Sequence, residues 1–428
     1  MDAKIYRLKD SVNFIQNFIG RAGTYVFSSV VIARVLSFIA SWIALQLIPH
    51  DDLGVVIYAF QIITFLIPIG GLGLHQSLIR YGSQLGSIKE KNDLFQFAVK
   101  RGIIASFFLI IIVSLFALFK DFEREETSFY LVLLSFALIT HYVFELVKIQ
   151  CRLQKRNKLY AYADVSYNFL LVVLIFIGSY YFSALGYAIA ILMVPFIASL
   201  IFIPTLKVEW KKILNLPMVN FKFFRYGFFA SLSNVTTQLL ISIDIILIGN
   251  ILEDASLITA FRYISIVPYS LLFLSNAVVI TDFVDITEKI NDKKYVNKYI
   301  KSYMRIFGII SLICLISLFF LGEYILAIFD VGYKQYHTTF MVLTIGICGI
   351  LTFRSIFGNL LSSIGKAHIN LLITGVAVCL NLILNYRLIP EFELFGAAIT
   401  SATLMWFSGI LSMIFFVYYY RRNSNFIG

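Results

Sequence analysis

Charge is what this 428-residue chain lacks most: 14% of its residues are Asp, Glu, Lys or Arg, against 60% hydrophobic. A soluble domain carries about a quarter charged residues. The balance is far from that of a soluble globular chain. Cysteine is scarce as well, and Cys151, Cys314, Cys348 and Cys379 lie in or beside apolar stretches with no metal-ligand spacing. They read as small packing residues, not as a disulfide framework or a zinc site. Catalytic signatures are missing too. Gly365-Lys366 has neither the upstream glycine nor the following Ser or Thr of a phosphate loop, and no Gly-x-Ser-x-Gly or His-Glu-x-x-His occurs. Residues 1–21 have no apolar core or small-residue cleavage site of a secretory signal. They are expected to form an interfacial helix on the cytoplasmic face, with Lys4, Arg7 and Lys9 towards lipid headgroups.

What the chain does have is long apolar runs. About 20 such residues cross a hydrocarbon core, and twelve stretches of that kind are expected, from Gly23–Ile48 to Phe395–Tyr420. The fold class is thus all-α, a polytopic bundle. Loops between the runs alternate in charge. Arg80, Lys89, Lys91, Lys148, Arg152, Lys155, Arg156, Lys158, Lys207, Lys211, Lys212, Lys289, Lys293, Arg421 and Arg422 share one side with both termini. Asp51, Asp52, Glu123, Glu125, Glu126, Glu253, Asp254, Glu391 and Glu393 mark the other. Because Lys and Arg concentrate on the cytoplasmic side, both termini are expected there. The net charge of +11 then follows from topology and attraction to anionic inner-leaflet lipids, without a nucleic-acid partner. No extracytoplasmic loop is long enough to house a glycan polymerase or ligase site.

The two halves repeat weakly. Tyr25 pairs with Tyr226, Phe27 with Phe228 and Lys100 with Lys301, an offset of 226 − 25 = 201. A slightly larger offset pairs Leu185-Gly186-Tyr187-Ala188-Ile189 with Phe395-Gly396-Ala397-Ala398-Ile399. The expected organisation is a six-helix lobe over residues 1–206, a basic linker at 207–220 marked by Pro217, and a second six-helix lobe over 221–428. Paired lobes of this kind typify secondary transporters. The Gly70-Gly71-Leu72-Gly73 run inside an apolar stretch predicts a bend or close helix packing.

Charges inside membrane spans are costly, and they mark cavities or ion paths. Arg34, Arg262 and Arg354 are the basic ones here; Glu145, Asp164 and Asp244 are the acidic ones. His75 and His141 add groups that titrate near neutrality. Each has a plainer reading. Arg354 would pair with a carboxylate, Glu145 and Asp164 would reach the interface from span ends, and His75 would be a packed polar group. Arg34, Arg262 and Asp244 lie deeper, where a cavity or coupling role is expected.

Several stretches carry a family resemblance. Asn381-Leu382-Ile383-Leu384-Asn385-Tyr386 with Leu388-Ile389-Pro390 and Phe395-Gly396-Ala397-Ala398-Ile399 resembles the penultimate-span motif of polysaccharide-unit flippases. These are the O-antigen type members of the multidrug/oligosaccharidyl-lipid/polysaccharide (MOP) exporter superfamily. Asp51-Asp52-Leu53-Gly54, Gly71-Leu72-Gly73 with Arg80-Tyr81, Asp244 with Ile248-Gly249, and Ala260-Phe261-Arg262 resemble that family's pattern at the matching spans. The resemblance implies a V-shaped bundle of two lobes in a bacterial inner membrane. It also implies a cargo of one oligosaccharide unit on undecaprenyl diphosphate, flipped outward by alternating access. O-antigen or capsule assembly, with a polymerase and chain-length proteins as partners, would follow. Under this resemblance Arg34, Arg262 and Arg354 would bind the diphosphate, to which a guanidinium offers paired donors. Asp244, Glu145, His75 and His141 would couple transport to a proton or sodium gradient, with no cofactor and no metal. The alternatives are an ion-coupled multidrug exporter of the same superfamily and a membrane glycan polymerase or ligase.

Overall fold

A computed structural model describes residues 24–122, 124–210, 216, 219–276, 278, 286, 289–364 and 366–422. The expected interfacial helix at 1–21, and Pro217 in the expected linker, lie outside the described residues. The described chain is helical throughout. In order, the helices are α1 Thr24–Leu47, α2 His50–Leu66, α3 Leu74–Gln84, α4 Ile88–Phe119, α5 Glu125–Ser135, α6 Ala137–Leu153 and α7 Asn157–Phe202. Then come α8 Phe221–Leu252, α9 Ala255–Ser270, α10 Lys293–Phe329, α11 His337–Gly349, α12 Ser355–Ser363 and α13 Ala367–Arg422. Among the described residues, eight helical stretches are long and apolar enough to cross a membrane, and two shorter apolar ones are Val31–Leu47 and Ile243–Leu252.

Two compact units emerge. The first comprises Ser28–Gly249 and Glu253–Thr259, and the second centres on Ala260–Gly428. In the first, α6 packs against α3, α4 and α7, and α2 against α5. Its core gathers Phe95, Tyr142, Leu146, Cys151 and Phe223, all nearly or fully buried. In the second, α13 packs on α11 and α12 around Tyr303, Phe307, Leu351, Leu360 and Ile373. The apolar faces left exposed are equally informative. On α4, Phe107, Phe108, Ile112, Leu118 and Phe119 are exposed, as suits a helix whose outer face meets lipid.

Sequence dictates the breaks. The glycine run makes the expected bend: Ile67–Gly73 is a 3-10 segment in which Gly70, Gly71 and Leu72 leave helical geometry. Ser87 and Glu90 open α4 with a reciprocal capping box, satisfying two amide donors that a helix start leaves unpaired.

Helices α7 and α13 each run past the length of a single crossing, and each doubles back at one residue. Ser183 has φ 48° and ψ −130°; Glu393 has φ 50° and ψ −129°. Three residues later, a Cβ on Gly186 would fall on the Gly178 carbonyl, and one on Gly396 on the Leu388 carbonyl. All three pairs share one offset: 393 − 183, 396 − 186 and 388 − 178 are each 210. The sequence placed a break at this point of each half, and the backbone supplies the reason. Positive φ with ψ near −130° is the glycine-favouring corner of a type II′ turn. A β-carbon there costs about 1 kcal/mol or more. Ser183→Gly and Glu393→Gly are each expected to raise stability by about 1 kcal/mol, read as a higher midpoint of thermal unfolding in nanodiscs. A lower midpoint in both would show that the side chains, not the backbone, secure the turns.

Candidate functional site

The first unit encloses a cavity of about 360 Å³ built from its own helices. On α6, His141, Glu145 and Lys148 follow at intervals of four and three, so they share one helix face. On α7, Tyr167 and Asn168 follow Asp164 by three and four residues, so they lie on its face of the helix. The glycine bend before α3 delivers His75. All seven line the cavity. The bend is held by Tyr142, which donates to the Ala98 carbonyl at 2.8 Å. Gly71 donates its backbone N–H to Ser106 Oγ at 2.8 Å.

An ion triad crosses the site. Lys148 Nζ lies 2.9 Å from Glu145 and 3.9 Å from Asp164. The lysine side chain is 18% exposed and that of Glu145 47% exposed. The lysine is therefore enclosed while one carboxylate faces the open part of the cavity. One cation stands against two carboxylates, which leaves the triad with a surplus negative charge. The cavity also holds polar groups with unused hydrogen-bonding capacity. His75 is 7% exposed, and its Nδ1 is buried with no hydrogen-bond partner. His141 Nδ1 lies 3.2 Å from the Ala137 carbonyl, so it carries the proton and Nε2 is left as an acceptor. Asn168 donates to the Asp164 carbonyl at 2.8 Å, which leaves its own oxygen open. Tyr167 stacks on Phe144 with centroids 5.0 Å apart and planes 17° apart.

Three of the four residues expected to couple an ion thus meet here. Asp244, fully buried in α8, does not line this cavity. One expectation is corrected: Lys148, placed among the loop cations, lies inside α6 and lines the cavity. Glu145 and Asp164 both pair with it. The intervals of α6 and α7 carried the signal, since charges three and four apart share a face.

Arg34 lies in the first unit, Arg262 and Arg354 in the second. Arg34 on α1 and Arg262 on α9 are exposed in their respective units, and neither is ion-paired to a described residue. Arg354 closes a π-helical turn, Ile350–Arg354, a feature frequent at functional sites. Its NH1 donates to Asn370 Oδ1 at 2.9 Å and Ser412 Oγ at 2.6 Å, and its NH2 to Thr374 Oγ1 at 3.1 Å. The carboxylate expected beside it is absent among the described residues. Neutral groups hold it, and no carboxylate among the described residues pairs with it.

Comparison with known proteins places this architecture. The sequence profile described as polysaccharide biosynthesis protein matches residues 19–280, more than half the chain. The chain belongs to that family. No curated protein sequence matches this family member. Among solved structures it is similar to the lipid II flippase MurJ in an inward closed conformation, with TM-score 0.73 and 13% identity. The alignment covers 93% of this chain and 88% of that one. It is also similar to an inward-facing multidrug resistance MATE family transporter of the MOP superfamily. There the TM-score is 0.67 and identity 14%, covering 93% and 98% of the two chains. A MOP superfamily transporter from Pyrococcus furiosus gives TM-score 0.65 at 14% identity, covering 94% and 95%. The family member therefore has the all-α MOP superfamily fold and is a multi-pass membrane protein.

Proposed function

We propose that this family member is a flippase. It moves an undecaprenyl-diphosphate-linked oligosaccharide unit from the inner to the outer leaflet of the bacterial cytoplasmic membrane, by alternating access, for O-antigen, capsule or exopolysaccharide assembly. The observation that carries the reading is the polysaccharide biosynthesis match over residues 19–280. The MOP fold supports transport over glycan synthesis, as does the lack of a catalytic motif. We assign twelve crossings, six in residues 1–206 and six in 221–428, with the doubled helices α7 and α13 counted twice. Polysaccharide polymerase and chain-length proteins are the partners that such a cargo requires.

The diphosphate is the hardest part of this cargo to move, because lipid cannot solvate its charge. Arg34 and Arg262 are exposed and have no carboxylate partner among the described residues, and the described residues that bond Arg354 are neutral. We assign all three to the diphosphate. Buried Asp244 is the group we assign to gradient coupling, with a proton or sodium ion that binds the two conformations with different affinity.

Reconstitution in liposomes with lipid-diphosphate oligosaccharide tests the reading. Arg34→Ala and Arg262→Ala are each expected to slow transbilayer movement about ten-fold or more, one lost charge-assisted contact being worth about 1.5–3 kcal/mol. Ethidium should not be exported. Ethidium efflux that needs Asp244 and ignores both arginines would make the protein a drug exporter. Elongation of the glycan in the same vesicles would make it a polymerase.

A further inference from the structure

No arginine lines the first unit's cavity among the described residues, and its triad holds two carboxylates to one lysine, so it does not suit the diphosphate. Its chemistry points elsewhere. A ring fixed in plane, Tyr167 on Phe144, presents the kind of platform on which the C–H face of a pyranose lies. Around it converge acceptors and donors that no described residue uses: His75 Nδ1, His141 Nε2, Asn168 Oδ1, and the amides of Gln76 and Asn234, both lining the space. Of these, His75 Nδ1 is buried and unpaired, which is costly, and the polar groups gathered beside it suit a ligand rich in hydroxyls. The volume, about 360 Å³, falls in the range of small-molecule pockets, about 300–1,000 Å³. It has room for a sugar but not for a whole lipid-linked unit. Depth fits as well. Lys148 lies five residues before the end of α6 and Asp164 seven residues after the start of α7. At 1.5 Å per residue these are about 8 and 10 Å from the turn that carries Arg152, Lys155 and Arg156, the end expected to face the cytoplasm, where cargo is loaded.

We propose that this cavity is a glycan subsite of the first unit, which takes neutral or amino sugars and repels uronic acids. The assignment rests on the flippase reading for its cargo and on the cavity alone for its selectivity. Tyr167 supplies the stacking face. His75, His141, Asn168 and Asn234 bond hydroxyl groups. Glu145, the exposed carboxylate, sets the sign of charge admitted, and Lys148 holds both carboxylates in place.

The test uses the full chain in nanodiscs and saturation-transfer NMR with two free disaccharides. One is N,N′-diacetylchitobiose, which is neutral; the other is the glucuronate-containing disaccharide of hyaluronan. Transfer to the neutral sugar is expected, with the acidic one weaker by about five-fold, the effect of one contact of about 1 kcal/mol. Tyr167→Ala should abolish the neutral signal, and Tyr167→Phe should retain most of it. Glu145→Gln should bring the acidic sugar up towards the neutral one, a change of preference that mere loosening of the fold would not produce. Asn234→Ala, at an exposed position, should weaken the neutral signal without altering thermal stability. Equal transfer to both sugars, or an unchanged signal in both Tyr167→Ala and Asn234→Ala, would overturn the proposal. So would transfer to neither sugar, which would leave a water-filled cavity. Because no lipid diphosphate is present, these results are independent of the liposome assay. Binding without flipping would remove the flippase reading and leave the subsite standing.

Discussion

Gly102→Ala is expected to destabilise the first unit by about 3 kcal/mol, the upper end of what overpacking costs. A Cβ at this position would fall on the Tyr142 hydroxyl and ring carbons. The ring has nowhere to go. On its other side, the Cβ position of Gly71 meets the same ring, and Gly71 sits at φ +62°, where any side chain is strained. Tyr142 is 2% exposed, and its hydroxyl is already committed to the Ala98 carbonyl on the Gly102 helix. Two glycines on two elements thus leave a slot that one tyrosine fills, and the slot fixes the bend that delivers His75. The measurement is a thermal unfolding midpoint in nanodiscs, supported by a double-mutant cycle with Tyr142→Leu. The cycle should show strong coupling, because the smaller side chain vacates the contested space. If the two effects simply add, the slot is not what fixes the bend.

Lys148→Ala should cost about 2 kcal/mol. Removing one member of a buried pair typically costs about 3–5 kcal/mol, since the partner is left charged and unpaired. Here solvent reaches Glu145, 47% exposed, and Asp164, 28% exposed, so the figure is discounted. Neutralising the survivors should recover most of the loss. A Lys148→Met, Glu145→Gln, Asp164→Asn triple variant is expected near wild-type stability, since polar isosteres leave no net charge to bury. If Lys148→Ala unfolds at the wild-type midpoint, the triad does not hold α6 to α7.

Much of this was legible in the sequence, and the reasons differ by element. Apolar runs of membrane-spanning length announced the helices, and Gly70 to Gly73 announced the bend, because backbone freedom is written into residue type. The turn at Ser183 could be placed from apolar run length but not characterised, since serine does not signal a positive φ. The cavity was half legible. Individual charges inside spans stood out by their cost in lipid, yet Asp164 reaches Lys148 from another helix. Lys148 was the clearest loss. Five residues from a basic turn, it looked like one more cytoplasmic lysine; Glu145 stands three residues before it on α6, and the packing of α6 against α7 adds Asp164. Arg354 failed differently. Asn370, Thr374 and Ser412 are unremarkable residues in the chain, and nothing in their types says that they surround a guanidinium.

The matched turns at Ser183 and Glu393 have a consequence for how the chain came to be. One is a small hydroxyl and the other a carboxylate, in a conformation that suits neither, yet both halves keep it to within two degrees. Independent drift would more readily have relaxed one of them. The economical history is a single ancestral segment, already bent back at this point, that was copied end to end. In that history a shape outlasts the residue types that make it: serine in one half and glutamate in the other hold the same turn.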